Sequence, residues 1–137
     1  AHPPSAFHQS GPPVGFQDAG DYLRHLLTLP RGVPVSLRYF SDPGIKPTAS
    51  LVVLIKVAIY ASPRQKLTLQ GIYDSFMNRF RWFRENPGEP WTRSIRHSLS
   101  LKAMFVKLGR TREEPGKGVF WTLDITQGEG DKRKRKR

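Results

Sequence analysis

The stretch LTLQGIYDSFMNRF constrains this chain more than any other. Leu69, Ile72, Tyr73, Phe76 and Phe80 stand at i, i+3, i+4, i+7 and i+11, so at about 100° per residue they share one face of a helix. Thr68 is placed to cap the first turn. A helix with one apolar face must bury it against other elements. No disulfide can substitute for that core, because the 137 residues contain no cysteine, which also removes thiolate zinc sites and cysteine nucleophiles. The length suits one modest domain with tails.

Other segments supply partners for that face. ASLVVLIKVAIYA, residues 49–61, is apolar nearly all round; the pattern favours a central buried helix and leaves a strand open. DYLRHLLTLP predicts a short helix over 21–29, capped by Asp21 and stopped at Pro30. RGVPVSLRYFSDPGIKP is punctuated by Gly and Pro and is expected to be a linker along the domain surface. RWFRENPGEP is expected to be a short turn, with Trp82 and Trp91 filling the core around it. FVKL and VFWTLD read as a β-hairpin with a long charged tip, GRTREEPGKG. Residues 1–15, rich in Pro, Ser and Gly, are expected to be disordered.

Charge adds a partner. Lys and Arg number 23 against 11 Asp and Glu, a net charge of +12. Residues 1–45 hold three of each sign, so the whole excess lies beyond them. A balance this basic argues for a polyanion such as nucleic acid or an anionic membrane surface. The longest apolar run, Leu51–Ile55, is interrupted by Lys56 and is far short of the roughly 20 residues that span a bilayer. The opening AHPPSAFHQSGPP lacks a signal-peptide layout. The expectation is a soluble, non-secreted protein.

The polyanion has a plausible docking face in WTRSIRHSLSLK, residues 91–102. On a helical wheel Trp91 and Leu99 fall roughly 40° either side of Ile95, a stripe for the core. Arg93, Arg96, His97 and Ser100 share an arc of about 100° on the far side. Solvated helix faces usually mix signs at i, i+4, whereas this one carries only cationic and neutral groups. Arg reads guanine O6 and N7 in the major groove, which admits a helix. Two helices, a turn and a two-stranded wing make a winged helix-turn-helix.

In that order, KP at 46, LTLQGIYDSFMNRF, RWFREN, WTRSIRHSLSL, FVKLGR and EPGKGVFWTLD resemble a forkhead domain over residues 46–124. The continuation QGEGDKRKRKR is similar to fungal members in particular. The resemblance implies an α+β fold, a three-helix core with a small antiparallel sheet and a basic wing, following an N-terminal extension over 1–45 and preceding a basic tail over 125–137. It implies a monomeric, nuclear transcription regulator that binds double-stranded DNA. Helix three reads AAACA-type sites through Arg96, His97 and Ser100. Arg110, Lys117 and Trp121 approach phosphates from the wing, and the tail, with Lys132 and Arg133, tracks the backbone and doubles as an import signal.

Four positions depart from the family pattern at the DNA surface. Arg93 stands where Asn usually reads adenine, Ser98 replaces an Asn, Val119 a Ser, and Ala49 a Tyr. Arg offers only donors, so it favours guanine or phosphate over adenine. The expectation is altered site preference; the alternative is a degenerate module for non-specific chromatin binding or protein interaction.

Nothing in the motifs points to an enzyme, and no membrane, small-molecule substrate, cofactor or metal is expected. Glu113 and Glu114 read as solvated turn residues on the wing. His2, His8, His25 and His97 lack metal-ligand spacing. A divalent ion on backbone carbonyls, as in some forkhead domains, would involve Leu99, Ser100, Lys102 and Phe105.

Overall fold

The computed structural model describes residues 16–88, 90–116 and 118–133. Five α-helices run in chain order as α1 (Ala19–Leu27), α2 (Leu51–Ala61), α3 (Leu69–Arg79), α4 (Arg81–Glu85) and α5 (Pro90–Leu101). Three strands, β1 (Lys66–Thr68), β2 (Phe105–Leu108) and β3 (Phe120–Leu123), form an antiparallel sheet in the order β1-β3-β2. This is the expected α+β winged helix, with α2, α3 and α5 around one core and the sheet at its side. The expected disorder of residues 1–15 lies outside the described residues.

α3 forms where its apolar period demands. The Thr68 hydroxyl accepts from the Gly71 N–H at 3.0 Å, and Ile72 and Phe76 are fully buried. Residues 51–61 are helical, which settles the open alternative. Ser50 caps α2 by accepting from Val52 N–H, and residues 54–59 are all buried, Lys56 among them.

Several local expectations are corrected. α1 begins at Ala19, two residues before the predicted start, because the Asp18 carboxylate reaches the Asp21 N–H at 2.8 Å. Asp21 therefore lies inside the first turn, where a negative charge favours the helix dipole. The helix ends at Leu27, with Thr28 left-handed at φ 54°. Residues 81–85, expected to be a turn, form α4, whose first N–H is held by Asp42 from across the chain at 3.1 Å. Phe83 fills the core there, and Trp82 is only half-buried, with the Lys46 ammonium over its ring. β1 had no period to betray it: three residues are too few, and its last, Thr68, serves as the cap of α3.

Parts of residues 16–45 pack on the core. Tyr22 and Leu23 of α1 are buried, as are Val35 and Leu37 of the segment expected to be a surface linker. The Arg79 guanidinium fastens that segment through the carbonyls of Leu37 and Phe40. α1 approaches α2 at Gly20, where an added Cβ would lie 2.6 Å from the Tyr60 hydroxyl. The change in charge near residue 46 thus does not coincide with an edge of the core.

Phe76, Phe80, Phe83 and Trp91 form one aromatic cluster, with centroids 4.8 to 6.4 Å apart. Truncating Phe76 to Ala removes a fully buried member of it and should destabilise the domain by about 3–5 kcal/mol in urea unfolding. A loss under about 1 kcal/mol would mean that the cluster is not the centre of the core.

Candidate nucleic-acid interface

The aim of α5 is set by one stripe. Trp91, Ile95 and Leu99 are 2%, 0% and 1% exposed, while Arg93, Arg96, His97 and Ser100 are all exposed. The predicted wheel is therefore the observed one. Fixed groups hold both ends of the helix. The Trp91 indole N–H donates to the Asn86 carbonyl at 2.8 Å, and the Tyr73 hydroxyl donates to the Thr92 carbonyl at 3.1 Å. At the other end the Lys132 ammonium donates to the Leu99 carbonyl at 2.8 Å and the Lys132 N–H to the Leu101 carbonyl at 2.7 Å. α5 has no basic residue in its own last turn, so Lys132 supplies the cation that the helix dipole favours there.

None of the ion pairs among the described residues involves Arg93, Arg96 or His97. Their face is left cationic.

The wing is braced from within. Arg110 donates to the carbonyls of Gly118 and Pro115 at 2.9 and 2.7 Å, with its guanidinium 4.7 Å from the Phe120 centroid. Lys66 lies over the same ring at 4.5 Å. Glu114 is not the solvated turn residue expected. Its carboxylate accepts from Lys66 and from the Thr111 N–H, and its side chain is 10% exposed. Those two bonds hold the carboxyl well below its ordinary range, at about 2. Glu113 is exposed.

The remaining predicted site residues are dispersed. Trp121 is 7% exposed, with Lys132 and Lys107 at 5.1 and 5.7 Å from its ring. Burial, then the neighbouring Lys107 charge, lowers the Lys132 pKa. Arg133 is exposed at the end of the described tail, and Lys117 lies outside the described residues. Lys66 and Lys107 were not singled out from sequence. The signal for Lys107 was its place in FVKL, opposite Trp121 in the register. No group of three His, Asp or Glu able to hold a metal occurs among the described residues, and no helix there is long and apolar enough to cross a membrane. Of the carbonyls considered for a divalent ion, that of Leu99 accepts from Lys132 and that of Lys102 from the Phe105 N–H.

The pair of Glu114 with Lys66 makes wing order depend on pH. The folded-state pKa is below the ordinary value of 4.5, so the pair stabilises the wing above that pH and its contribution fades as pH falls towards about 2. Protection of the Thr111 amide relative to its intrinsic exchange rate should be high at neutral pH and fall over that acid window. Glu114→Gln should remove the dependence.

Comparison with known proteins agrees with this geometry. Residues 45–132 match the Forkhead domain family. Over 91 residues the chain is 44% identical to Forkhead box protein J1-A of Danio rerio, covering 66% of this chain and 20% of that protein. It is 42% identical over 91 residues to Forkhead box protein J1 of Homo sapiens, covering 66% and 21%. The chain thus spans about a fifth of the length of these relatives. Over residues 45–132 and by its architecture, this chain belongs to the forkhead-domain family.

Proposed function

We propose that the chain is the DNA-binding domain of a nuclear transcription factor, not an enzyme, and that it binds duplex DNA as a monomer with α5 in the major groove. One observation carries the reading: the core grips α5 along one stripe and leaves Arg93, Arg96, His97 and Ser100 exposed together, with no acidic residue on the helix. A major groove about 12 Å wide admits such a helix. Arg96, His97 and Ser100 take base and adjacent backbone contacts. Lys107, Lys117 and Arg133 approach phosphate; Arg110 does so while bracing the wing, and Trp121 and Lys132 support the surface between them.

The site preference departs from AAACA-type elements at the base opposite Arg93. A bidentate Arg offers two donors where adenine needs one donor and one acceptor, so guanine is preferred there.

Selection from a randomised duplex library near physiological salt, on wild type and Arg93→Asn in parallel, tests both statements. Wild type should enrich a motif with guanine at that base, and the substitution should restore adenine. If wild type enriches nothing while Arg93→Asn recovers an AAACA-like site, the natural domain is a non-specific or protein-binding module. On the selected duplex, Arg96→Ala should cost about 1–3 kcal/mol in titration, falling mainly on one base position. A uniform loss across sequences would make Arg96 a phosphate contact instead.

A further inference from the structure

The segment 128–133 is strapped to the domain at successive residues. Gly130 accepts from the Ala103 N–H at 3.0 Å, Asp131 pairs with Lys102 at 2.9 Å, and Lys132 binds the carbonyls of Leu99 and Leu101. Glu129 faces the other way. Its carboxylate accepts from the Tyr22 hydroxyl of α1 at 2.8 Å, and that hydroxyl accepts from the Lys56 ammonium at 2.7 Å. Tyr22 is 2% exposed, and Lys56, at 7%, is the only buried charged side chain among the described residues. A buried ammonium needs a partner, and here its route to the carboxylate passes through a phenol on the N-terminal helix.

The two ends of the described chain therefore meet at one hydroxyl, 107 residues from Glu129 in sequence. Both sides of Tyr22 are fixed, by α2 beneath it and by the strap above. The strap in turn ends where the run of basic residues begins, at Lys132.

We propose that Tyr22 is a positioning residue for DNA binding: by holding Glu129 it fixes the strap against the end of α5, so the N-terminal helix sets the path on which the basic tail leaves the domain. This rests on the DNA-binding reading above. An unstrapped tail samples many paths and must lose that freedom on binding, which weakens association without removing any cation.

The test uses the full chain and compares wild type with Tyr22→Phe, which removes the bridging oxygen and with it the partner of the buried Lys56 ammonium, and Glu129→Ala, which removes only the acceptor on the exposed side. Amide exchange at Ala103 and Lys132 reads the strap, the α3 amides read the core, and fluorescence anisotropy with the selected duplex reads binding. Both variants should speed exchange at Ala103 and Lys132 by about tenfold, the scale of one net hydrogen bond; α3 protection should be unchanged in Glu129→Ala and fall in Tyr22→Phe, which also strands the Lys56 ammonium. Affinity should fall about three- to tenfold, and combining Tyr22→Phe with Lys132→Ala should cost less than the sum of the two, because both act through one strap.

Unchanged exchange at Ala103 and Lys132 would overturn the proposal. So would equal loss of protection throughout α3 in Glu129→Ala, which would leave the contact a purely fold-holding role, or a loosened strap with unaltered affinity. A wild-type chain that binds no duplex sinks the DNA reading instead, on an axis separate from strap exchange.

Discussion

Trp91 seats the N-terminal end of α5 between Phe76 and Phe83, and everything the outer face can do depends on that contact. The ring is buried and its N–H is bonded to the Asn86 carbonyl, so the helix cannot roll without opening the aromatic cluster and leaving a polar group unpaired. A roll of one position, about 100°, would carry Arg96 into the core in place of Ile95. The cost of burying that guanidinium far exceeds any gain in the wing. Close packing beneath thus becomes accuracy above, and the α4 turn matters because it delivers Phe83 and Asn86 to the same place.

Cations crowd the proposed DNA side, and the protein holds several of them without neutralising them. Phe120 lies between Lys66 and Arg110, and Trp121 has Lys107 and Lys132 near its ring. Aromatic faces and backbone carbonyls attract a cation while leaving its charge outwardly effective. Lys66 is also paired with the Glu114 carboxylate. The like charges of Arg93 and Arg96, at i and i+3 on α5, cost the isolated helix a few tenths of a kcal/mol, on the order of 0.3. A polyanion turns that cost into attraction.

Legibility in the sequence followed from how each element meets solvent. α3 and α5 alternate buried and exposed residues at the helical period, so both their existence and their outward faces are legible in the residue pattern alone. α2 is buried nearly all round, and uniform apolarity carries no period; only the fold removed the strand alternative. β1 is too short, and α4 hides beside Pro87 and Gly88. α1 was misplaced by two residues because Asp18 and Asp21 are both competent caps, and the earlier one wins when Gly20 lets the first turn approach Tyr60. At the site, the α5 face was legible as a local property. The link from Tyr22 through Lys56 to Glu129 was not, since its only trace was a Lys inside an apolar helix, and pattern cannot say which distant residue answers it.

Lys132 shows where the folded domain hands over to the tail. Its ammonium is committed to the Leu99 carbonyl, and its backbone N–H to Leu101, so it satisfies two of the carbonyls in the last turn of α5. A lysine used this way brings its charge close to α5 but has little reach left for an outside anion. Arg133, exposed and next in sequence, is therefore the first tail cation among the described residues that can extend outward. The basic run thus begins with one residue, Lys132, that fastens the segment to the domain and passes at Arg133 to a cation exposed to solvent, so under the proposed DNA reading that division would set where the tail starts to follow the backbone.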